Sequence, residues 1–369
     1  MVDFRSMGTP RLACVVLAAG SSVRMNSRVT KVLHPLCGVP MIRHSVRSLS
    51  ELEPERLVIV AGHQRDRIGA ETARYEPMIA VQEEPLGTGH AAMQAAALLQ
   101  DFDGDVLIAP ADAPLIRPST YQALVEQRRE ANCAAVLLSA RLDDPTGYGR
   151  ILRRADGLVD RIVEHRDASD AERQISEVNT SVYCFDCQTL LAALPRLRRD
   201  NVQSEYYLTD VIGLLVADGA CVLCTVAEDA AETRGVNDRL QLAAAEAHMR
   251  DGIRRRLMQD GVTMVDPAAT FIDAEVCIGA DTTLWPGAII AHGTEVGARC
   301  TIGSACAVRN SRIGDDCRIQ HCSWIADSVV GDGACVGPFA SISGGANVLP
   351  GATVGSFEHI EGDSARGSQ

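Results

Sequence analysis

Of the 35 lysine and arginine side chains in this 369-residue sequence, Lys31 is the only lysine. A guanidinium is a wide planar fork, whereas an ammonium is a compact point charge that fits between phosphate oxygens. A lysine kept in a chain that otherwise uses arginine therefore marks a position where the smaller cation matters. Its surroundings suit an anion. The apolar run from Leu12 to Leu17 is of strand type and empties into Ala18, Ala19, Gly20, Ser21 and Ser22. Small-residue loops of this kind let backbone N–H groups approach an anion closely. The chemistry indicated is phosphate binding; the plain alternative is a surface lysine beside a buried strand.

A second set of reactive residues is the cysteines, thirteen in all. Their number is odd and the N-terminus Met1-Val2-Asp3-Phe4-Arg5 has no apolar export core, so a disulfide framework is not expected. Cys184 with Cys187 and Cys221 with Cys224 have the spacing of a four-thiolate zinc site. Against zinc, neither pair encloses a glycine turn. Cys221-Val222-Leu223-Cys224 reads as a strand interior, where residues three apart point to opposite faces.

The formal net charge of −13 excludes broad nucleic-acid or membrane-surface binding, which needs dense positive charge. A phosphate-rich ligand must then be held by a few local cations and a metal. Hydrophobic content of 46% and charged content of 22% are those of a globular protein. No stretch is apolar enough to span a bilayer, and a cytoplasmic location is expected.

The elements that must position Lys31 follow from periodicity. Apolar strand-type runs recur at Leu57-Val58-Ile59-Val60, Val106-Leu107-Ile108-Ala109 and Ala134-Ala135-Val136-Leu137-Leu138, separated by amphipathic stretches at 41–52, 89–99 and 118–130. This alternation predicts an α/β domain over 12–237 with a mainly parallel, Rossmann-like sheet, binding ligands at the carboxyl ends of its strands. A linker helix is predicted over 238–261, capped by Gly261. From 262 to 361 the period becomes six, in Ile278-Gly279, Val296-Gly297, Ile302-Gly303, Ile313-Gly314, Val330-Gly331, Val336-Gly337 and Val354-Gly355, with Leu284, Ile290, Ile319, Ile342 and Val348 between them. Such hexapeptide repeats predict a short left-handed parallel β-helix. Cys300, Cys306 and Cys317 take small inward positions in it. Residues 1–11 and 362–369 are expected to be tails.

With these residues in view, the chain resembles the bifunctional bacterial N-acetylglucosamine-1-phosphate uridylyltransferase and glucosamine-1-phosphate acetyltransferase family. The motifs that carry the resemblance are Ser22-Val23-Arg24-Met25, Lys31-Val32-Leu33-His34-Pro35-Leu36, Gln82 with Leu86-Gly87-Thr88-Gly89-His90-Ala91, Ala111-Asp112-Ala113-Pro114-Leu115, Gly147-Tyr148-Gly149-Arg150-Ile151, Ile162-Val163-Glu164, Glu177-Val178-Asn179-Thr180, Glu205-Tyr206-Tyr207-Leu208-Thr209-Asp210 and Gly235-Val236-Asn237. The resemblance implies UTP and N-acetylglucosamine-1-phosphate as substrates. It places Arg24 and Lys31 at the reacting phosphates, and Ala18, Ala19, Gly20, Gln82, Gly87 and Thr88 around the nucleotide. It places Gly149, Glu164, Asn179, Tyr207 and Thr209 around the sugar, and Mg²⁺ on Asp112 and Asn237. A carboxylate with a neutral oxygen donor suits Mg²⁺, which binds substrate phosphates and keeps waters. Nucleotidyl transfer to a sugar phosphate needs no protein nucleophile, because the phosphate monoester is already largely dianionic at neutral pH.

The sequence also departs from the family. Ser22 and Val23 replace Gly and Thr, which resembles cytidylyltransferases, so another base or sugar is an alternative. Ser181 replaces a glycine. In the β-helix, Gly337-Pro338-Phe339-Ala340 is followed by Ser341-Ile342-Ser343 without the family's arginine, and Glu361 stands in place of its lysine. A glutamate repels a sugar phosphate. The expectation is a C-terminally truncated form without acetyltransferase activity. A homotrimer is implied, with Trp285, Trp324 and Phe339 as exposed candidates. A non-catalytic sugar-nucleotide-binding scaffold is the alternative from another class.

Overall fold

The computed structural model describes residues 11–20 and 22–362. The tails expected at 1–11 and 362–369 lie, apart from Arg11 and Gly362, outside the described residues. The chain divides into two units: residues through His34 with Pro40–Leu242, and Pro35–Val39 with the residues from Ala243 on.

Nine strands make one sheet in the first unit. They are β1 (Leu12–Ala18), β2 (Arg56–Ala61), β3 (Met78–Val81), β4 (Asp105–Pro110), β5 (Ala135–Arg141), β6 (Arg150–Arg153), β7 (Val159–Val163), β8 (Glu177–Asp186) and β9 (Val222–Val226). Seven run in the order β9-β5-β8-β4-β1-β2-β3, and β6 with β7 forms a hairpin attached to β8. Of the seven, β8 alone is antiparallel to its neighbours β4 and β5. The remaining pairs are parallel, so the α/β, Rossmann-like expectation holds.

Strand β1 shows why the sheet is buried on both faces. Ala13 and Val15 join one core with Val58, Val60, Val106 and Ile108, while Cys14, Val16 and Ala18 join another with Ile59, Ala61, Leu107 and Ala109. Side chains alternate along a strand, and a sheet covered on both sides reads as an unbroken apolar run. Burying each of the larger aliphatic side chains contributes about 1.5–3 kcal/mol. The chain leaves β1 towards β2 on one side, while β4 pairs on the other. The carboxyl ends of β1 and β4 therefore flank the crevice where doubly wound sheets bind ligands.

In the second unit, short parallel strands stack into sheets of six, six and five strands. Leu284, Ile302, Ile319, Val336 and Val354 align in one ladder, and Ile290, Val308, Ile325, Ile342 and Ile360 in a second. This is the predicted left-handed parallel β-helix. The strict six-residue period is corrected at two corners. Val308 is followed by the next inward aliphatic at Ile313, and Ile325 by Val330, one residue short each time. Asn310 and Asp327 turn these corners at φ 43° and 51°, a left-handed conformation that Asn and Asp tolerate. The Asn310 side chain donates to Asp327 Oδ1 at 2.7 Å.

Cys300, Cys306 and Cys317 are buried, and their thiols donate to the carbonyls of Gly314, Gln320 and Gly331 at 3.0, 2.9 and 3.1 Å. Thr282 and Ser323 donate in the same way to Gly297 and Gly337. These small inward groups satisfy corner carbonyls of the next coil. The corner glycines are needed sterically: a Cβ on Gly279 would lie 2.5 Å from the backbone nitrogen of Ala298.

Candidate active site

The loop after β1 is closed by a side chain. Ser22 Oγ accepts the backbone N–H of Lys31 at 2.7 Å and lies 3.0 Å from Thr30 Oγ1. The loop returns on itself through a single turn of 3-10 helix at Val23–Met25. Met25 is buried as its anchor, while Val23 and Arg24 are exposed. Ser22 thus has a defined job: it ties the start of the loop to the residue that carries the lysine.

At the end of β4, the backbone N–H of Ala111 bonds to Leu17 O at 3.0 Å, which sets Asp112 beside the end of β1. Val236 donates to Asp112 O at 2.7 Å and so brings Asn237 alongside. Asp238 caps the helix Arg239–Gln259 by accepting Gln241 N–H at 2.8 Å. The cap is thereby supplied by Asp238, and the Asn237 side chain faces the cavity.

Lys31 stands directly on these two residues. Its Nζ makes an ion pair with Asp112 Oδ2 and donates to Asn237 Oδ1 at 2.9 Å. Two hard oxygen donors converging on one cation form a set that fits Mg²⁺, with the ammonium as stand-in. Arg24, Lys31, Asp112 and Asn237 line one cavity of about 310 Å³ together with Ala18, Ala19, Gly20, Gln82, Gly87 and Thr88. A second cavity of about 280 Å³ shares Ala18, Ala19, Gly20 and Gln82 and extends to His63 and Glu83.

Backbone interlacing fixes the far wall. Gly89 N–H donates to Tyr206 O and Tyr206 N–H to Leu86 O, both at 2.8 Å. Thr88 Oγ1 accepts Leu208 N–H at 3.1 Å. Gly87 has φ +107°, and a Cβ there would lie 2.5 Å from Tyr206 O. Only glycine satisfies both conditions.

The residues assigned to the sugar gather separately. Asn179 N–H donates to Gly149 O at 2.8 Å, and a Cβ on Gly149 would stand 3.5 Å from Glu164 Oε2. Thr209 Oγ1 donates to Glu164 Oε1 at 3.1 Å. Tyr207 OH donates to Asp167 Oδ2 at 3.1 Å and accepts from Gln203. Burial holds the Glu164 carboxyl above the usual carboxylate range, against the hydrogen bond from Thr209, and Asp210, Asp167 and Glu205 add to the rise. Burial likewise pushes the Tyr207 phenol up to about 12.

None of these five borders the cavity that Lys31 lines, but Ser181 and Glu205 do. Ser181 sits at φ 62° on a bulge between Asn179 and Val182. That backbone accounts for the glycine of the resembling pattern.

Sequence reasoning passed over Arg150 as a support. Arg150 is fully buried and donates to the carbonyls of Tyr148 and Arg173, which frames Gly149. The signal was an arginine directly before the aliphatic pair Ile151-Leu152 at the start of a short strand. The CxxC pairs are not gathered: Cys184 and Cys187 are buried in the core and Cys221 is exposed. Among the described residues no group of three or more His, Cys, Asp or Glu side chains is placed to hold a metal.

Residues 14–201 match the model of the MobA-like NTP transferase domain, and residues 270–362 that of the GMPPB C-terminal domain. The chain is 45% identical over 347 residues to the bifunctional protein GlmU of Geobacillus thermodenitrificans (strain NG80-2), covering 94% of this chain and 75% of that protein. It is 44% identical to that of Geobacillus sp. (strain WCH70), with the same coverage. To that of Brevibacillus brevis it is 43% identical, over 95% of this chain and 76% of the relative. These matches correct the expectation of a truncated form. One continuous match takes in both the transferase and the β-helix regions, and the position of the last residue says nothing about what the protein lacks.

Proposed function

The chain belongs to the GlmU family, and from this membership and the nucleotide-facing cavity we infer that it is a uridylyltransferase making UDP-N-acetylglucosamine and pyrophosphate from UTP and N-acetylglucosamine-1-phosphate. The observation that carries the reading is the convergence of Arg24, Lys31, Asp112, Asn237 and Gln82 on one cavity at the carboxyl ends of β1 and β4.

In the reaction an oxygen of the sugar phosphate forms a bond to the α-phosphorus of UTP. The bond from that phosphorus to the bridging oxygen breaks, and pyrophosphate leaves with the electron pair. The chain supplies alignment and charge neutralisation. Gln82, Gly87 and Thr88 border the base and ribose. The small residues Ala18, Ala19 and Gly20 let the triphosphate approach the backbone. Arg24 and Lys31 offset charge as it moves onto the leaving group. Gly149, Glu164, Asn179, Tyr207 and Thr209 orient the sugar phosphate for in-line attack. Asp112 and Asn237 would hold Mg²⁺, which supplies charge stabilisation on the phosphate oxygens. Until then the Lys31 ammonium neutralises Asp112, and it is released to the phosphates when nucleotide enters.

Acetyl transfer is proposed to be absent, on residues within the described coils. Ser343 pairs with Glu361, and Ser341 with His359. No cation stands at the two positions where the resemblance calls for arginine and lysine. Measurable acetylation of glucosamine-1-phosphate from acetyl-CoA would overturn this.

A cytoplasmic homotrimer assembled through the β-helix completes the proposal. Among the described residues no helix is long and apolar enough to cross a membrane. Phe271, Ile289 and Trp324 point outward in register on one sheet and are each nearly half exposed, which supports an assembly face. Phe339 instead stacks on Phe357 at 5.0 Å within the chain.

The decisive experiment is pyrophosphate release from UTP with N-acetylglucosamine-1-phosphate and Mg²⁺, comparing wild type with Asp112→Ala. Turnover that Asp112→Ala abolishes supports the reading. Binding of UDP-N-acetylglucosamine without turnover would favour the scaffold, and CTP used in preference to UTP the cytidylyl alternative.

A further inference from the structure

The Gln82 side chain is buried at the edge of both cavities, and its amide is held in one sense. The nitrogen lies 3.1 Å from the carbonyl oxygen of Gly87 and 3.0 Å from Nδ1 of His90. A carbonyl oxygen can only accept, so the end of the amide that faces Gly87 must be the NH2 group. One of its protons goes to Gly87. The other goes to His90 Nδ1, which must carry a lone pair. The ring proton of His90 then sits on Nε2, which lies 3.2 Å from the amide nitrogen of Gln94; turning that amide to bring its oxygen to the ring gives up only the 3.4 Å bond from the same nitrogen to the His90 carbonyl. Tyr206 stacks near the same ring, centroids 6.2 Å apart and planes at 28°.

With both protons used, Gln82 presents its carbonyl oxygen to the nucleotide, and that oxygen accepts no hydrogen bond among the described residues. A uracil ring offers N3–H as a donor. A cytosine ring has a lone pair at the same atom, so two acceptors would meet. A site built around one hydrogen-bonding pattern rejects the ligand that leaves its buried group unpaired.

We propose that His90 is a positioning residue that makes this pocket select uridine over cytidine nucleotides, by fixing which end of the Gln82 amide faces the base. The proposal rests on reading the cavity as the nucleotide site. It explains selectivity for uracil in a chain whose Ser22-Val23 loop has the cytidylyltransferase character. The base is read at Gln82, and Ser22 serves the loop.

The test is the ratio of kcat/KM for UTP to that for CTP, with N-acetylglucosamine-1-phosphate as acceptor, in wild type, His90→Leu, His90→Asn and Gln82→Leu. In His90→Leu the second amide proton has no acceptor and the amide is free to turn, so the ratio should fall about tenfold or more. Asn offers an oxygen near the position of Nδ1, so His90→Asn should keep the ratio within about threefold of wild type. Calorimetric affinities for UTP and CTP should rank the variants identically, and they decide the matter if a variant turns over too slowly.

A ratio unchanged in His90→Leu would overturn the proposal, since Gly87 alone would then hold the amide. So would an equal loss in His90→Leu and His90→Asn, which a merely structural role predicts. An unchanged ratio in Gln82→Leu would show that the base is read elsewhere. Absence of UTP turnover in wild type is a different failure, that of the uridylyltransferase reading itself.

Discussion

Lys31 is held by two oxygens that are 81 and 206 residues away in sequence. Its singularity was legible in composition, but its partners were not, because nothing local encodes a contact across such separations. The geometry makes the ammonium a competitor for the metal position. Lys31→Met should therefore tighten Mn²⁺ binding to the nucleotide-free protein about tenfold, read by electron paramagnetic resonance of free Mn²⁺, and Lys31→Ala should do the same. Lys31→Arg keeps the charge but brings a planar fork where a compact cation fits, so UTP turnover should fall by about 100-fold. Arginine working as well as lysine would remove the argument from its uniqueness. Glu164 gives a second test. Burial raises its folded value above the unfolded one, so the native state binds the extra proton. Its contribution to stability is fully present below the unfolded value and is lost as pH rises through the folded value. Glu164→Gln should then raise the Tm at pH 8 by about 2–4 °C, as ~1 kcal/mol does in a chain of this size. The difference should shrink near pH 4 in differential scanning calorimetry.

The strands and the β-helix could be read from periodicity because burial imposes it, on both faces for β1 and on one inward residue per unit in the coils. Direction could not be read. Strand β8 is as buried as β4 and β5, which it meets antiparallel, and burial carries no sign of which way a strand runs. The two shortened corners were hidden for a related reason: Val308 and Ile325 lack the glycine that flags Ile302-Gly303 and Val336-Gly337, while Asn310 and Asp327 supply the left-handed turn instead. The loops are where backbone demands outrun the residue pattern. Gly87 combines positive φ with a close approach to Tyr206 O, so Gly87→Ala should cost about 2–3 kcal/mol of stability, measured by urea denaturation. Ser181 holds a left-handed φ of 62° in a residue with a Cβ. Ser181→Gly should be stabilising by about 0.5–1 kcal/mol, since relief of that strain exceeds the entropy cost of glycine.

At the scale of the molecule, the residues assigned to nucleotide and sugar all lie in the first unit, whereas the outward apolar stripe of Phe271, Ile289 and Trp324 lies in the second. Single exposed apolar side chains need no explanation, but these three stand in register on one sheet with Ala307 on the strand between Ile289 and Trp324, an apolar stripe of the sort that marks an interaction surface. A charge placed there leaves the inward ladder of Ile290, Val308, Ile325 and Ile342 untouched, so the coil still folds. Placed in an interface, the same charge is desolvated without a partner, which costs several kcal/mol. Trp324→Glu should therefore convert a trimer into monomers at micromolar concentration in sedimentation equilibrium, while far-ultraviolet circular dichroism stays that of wild type. If assembly serves only the β-helix, UTP turnover per chain should survive in the monomer, because no residue of the stripe borders the nucleotide cavity. A wild-type protein that sediments as a stable monomer removes the assembly proposal outright. Turnover lost together with the trimer would instead place part of the sugar-phosphate site on a neighbouring copy.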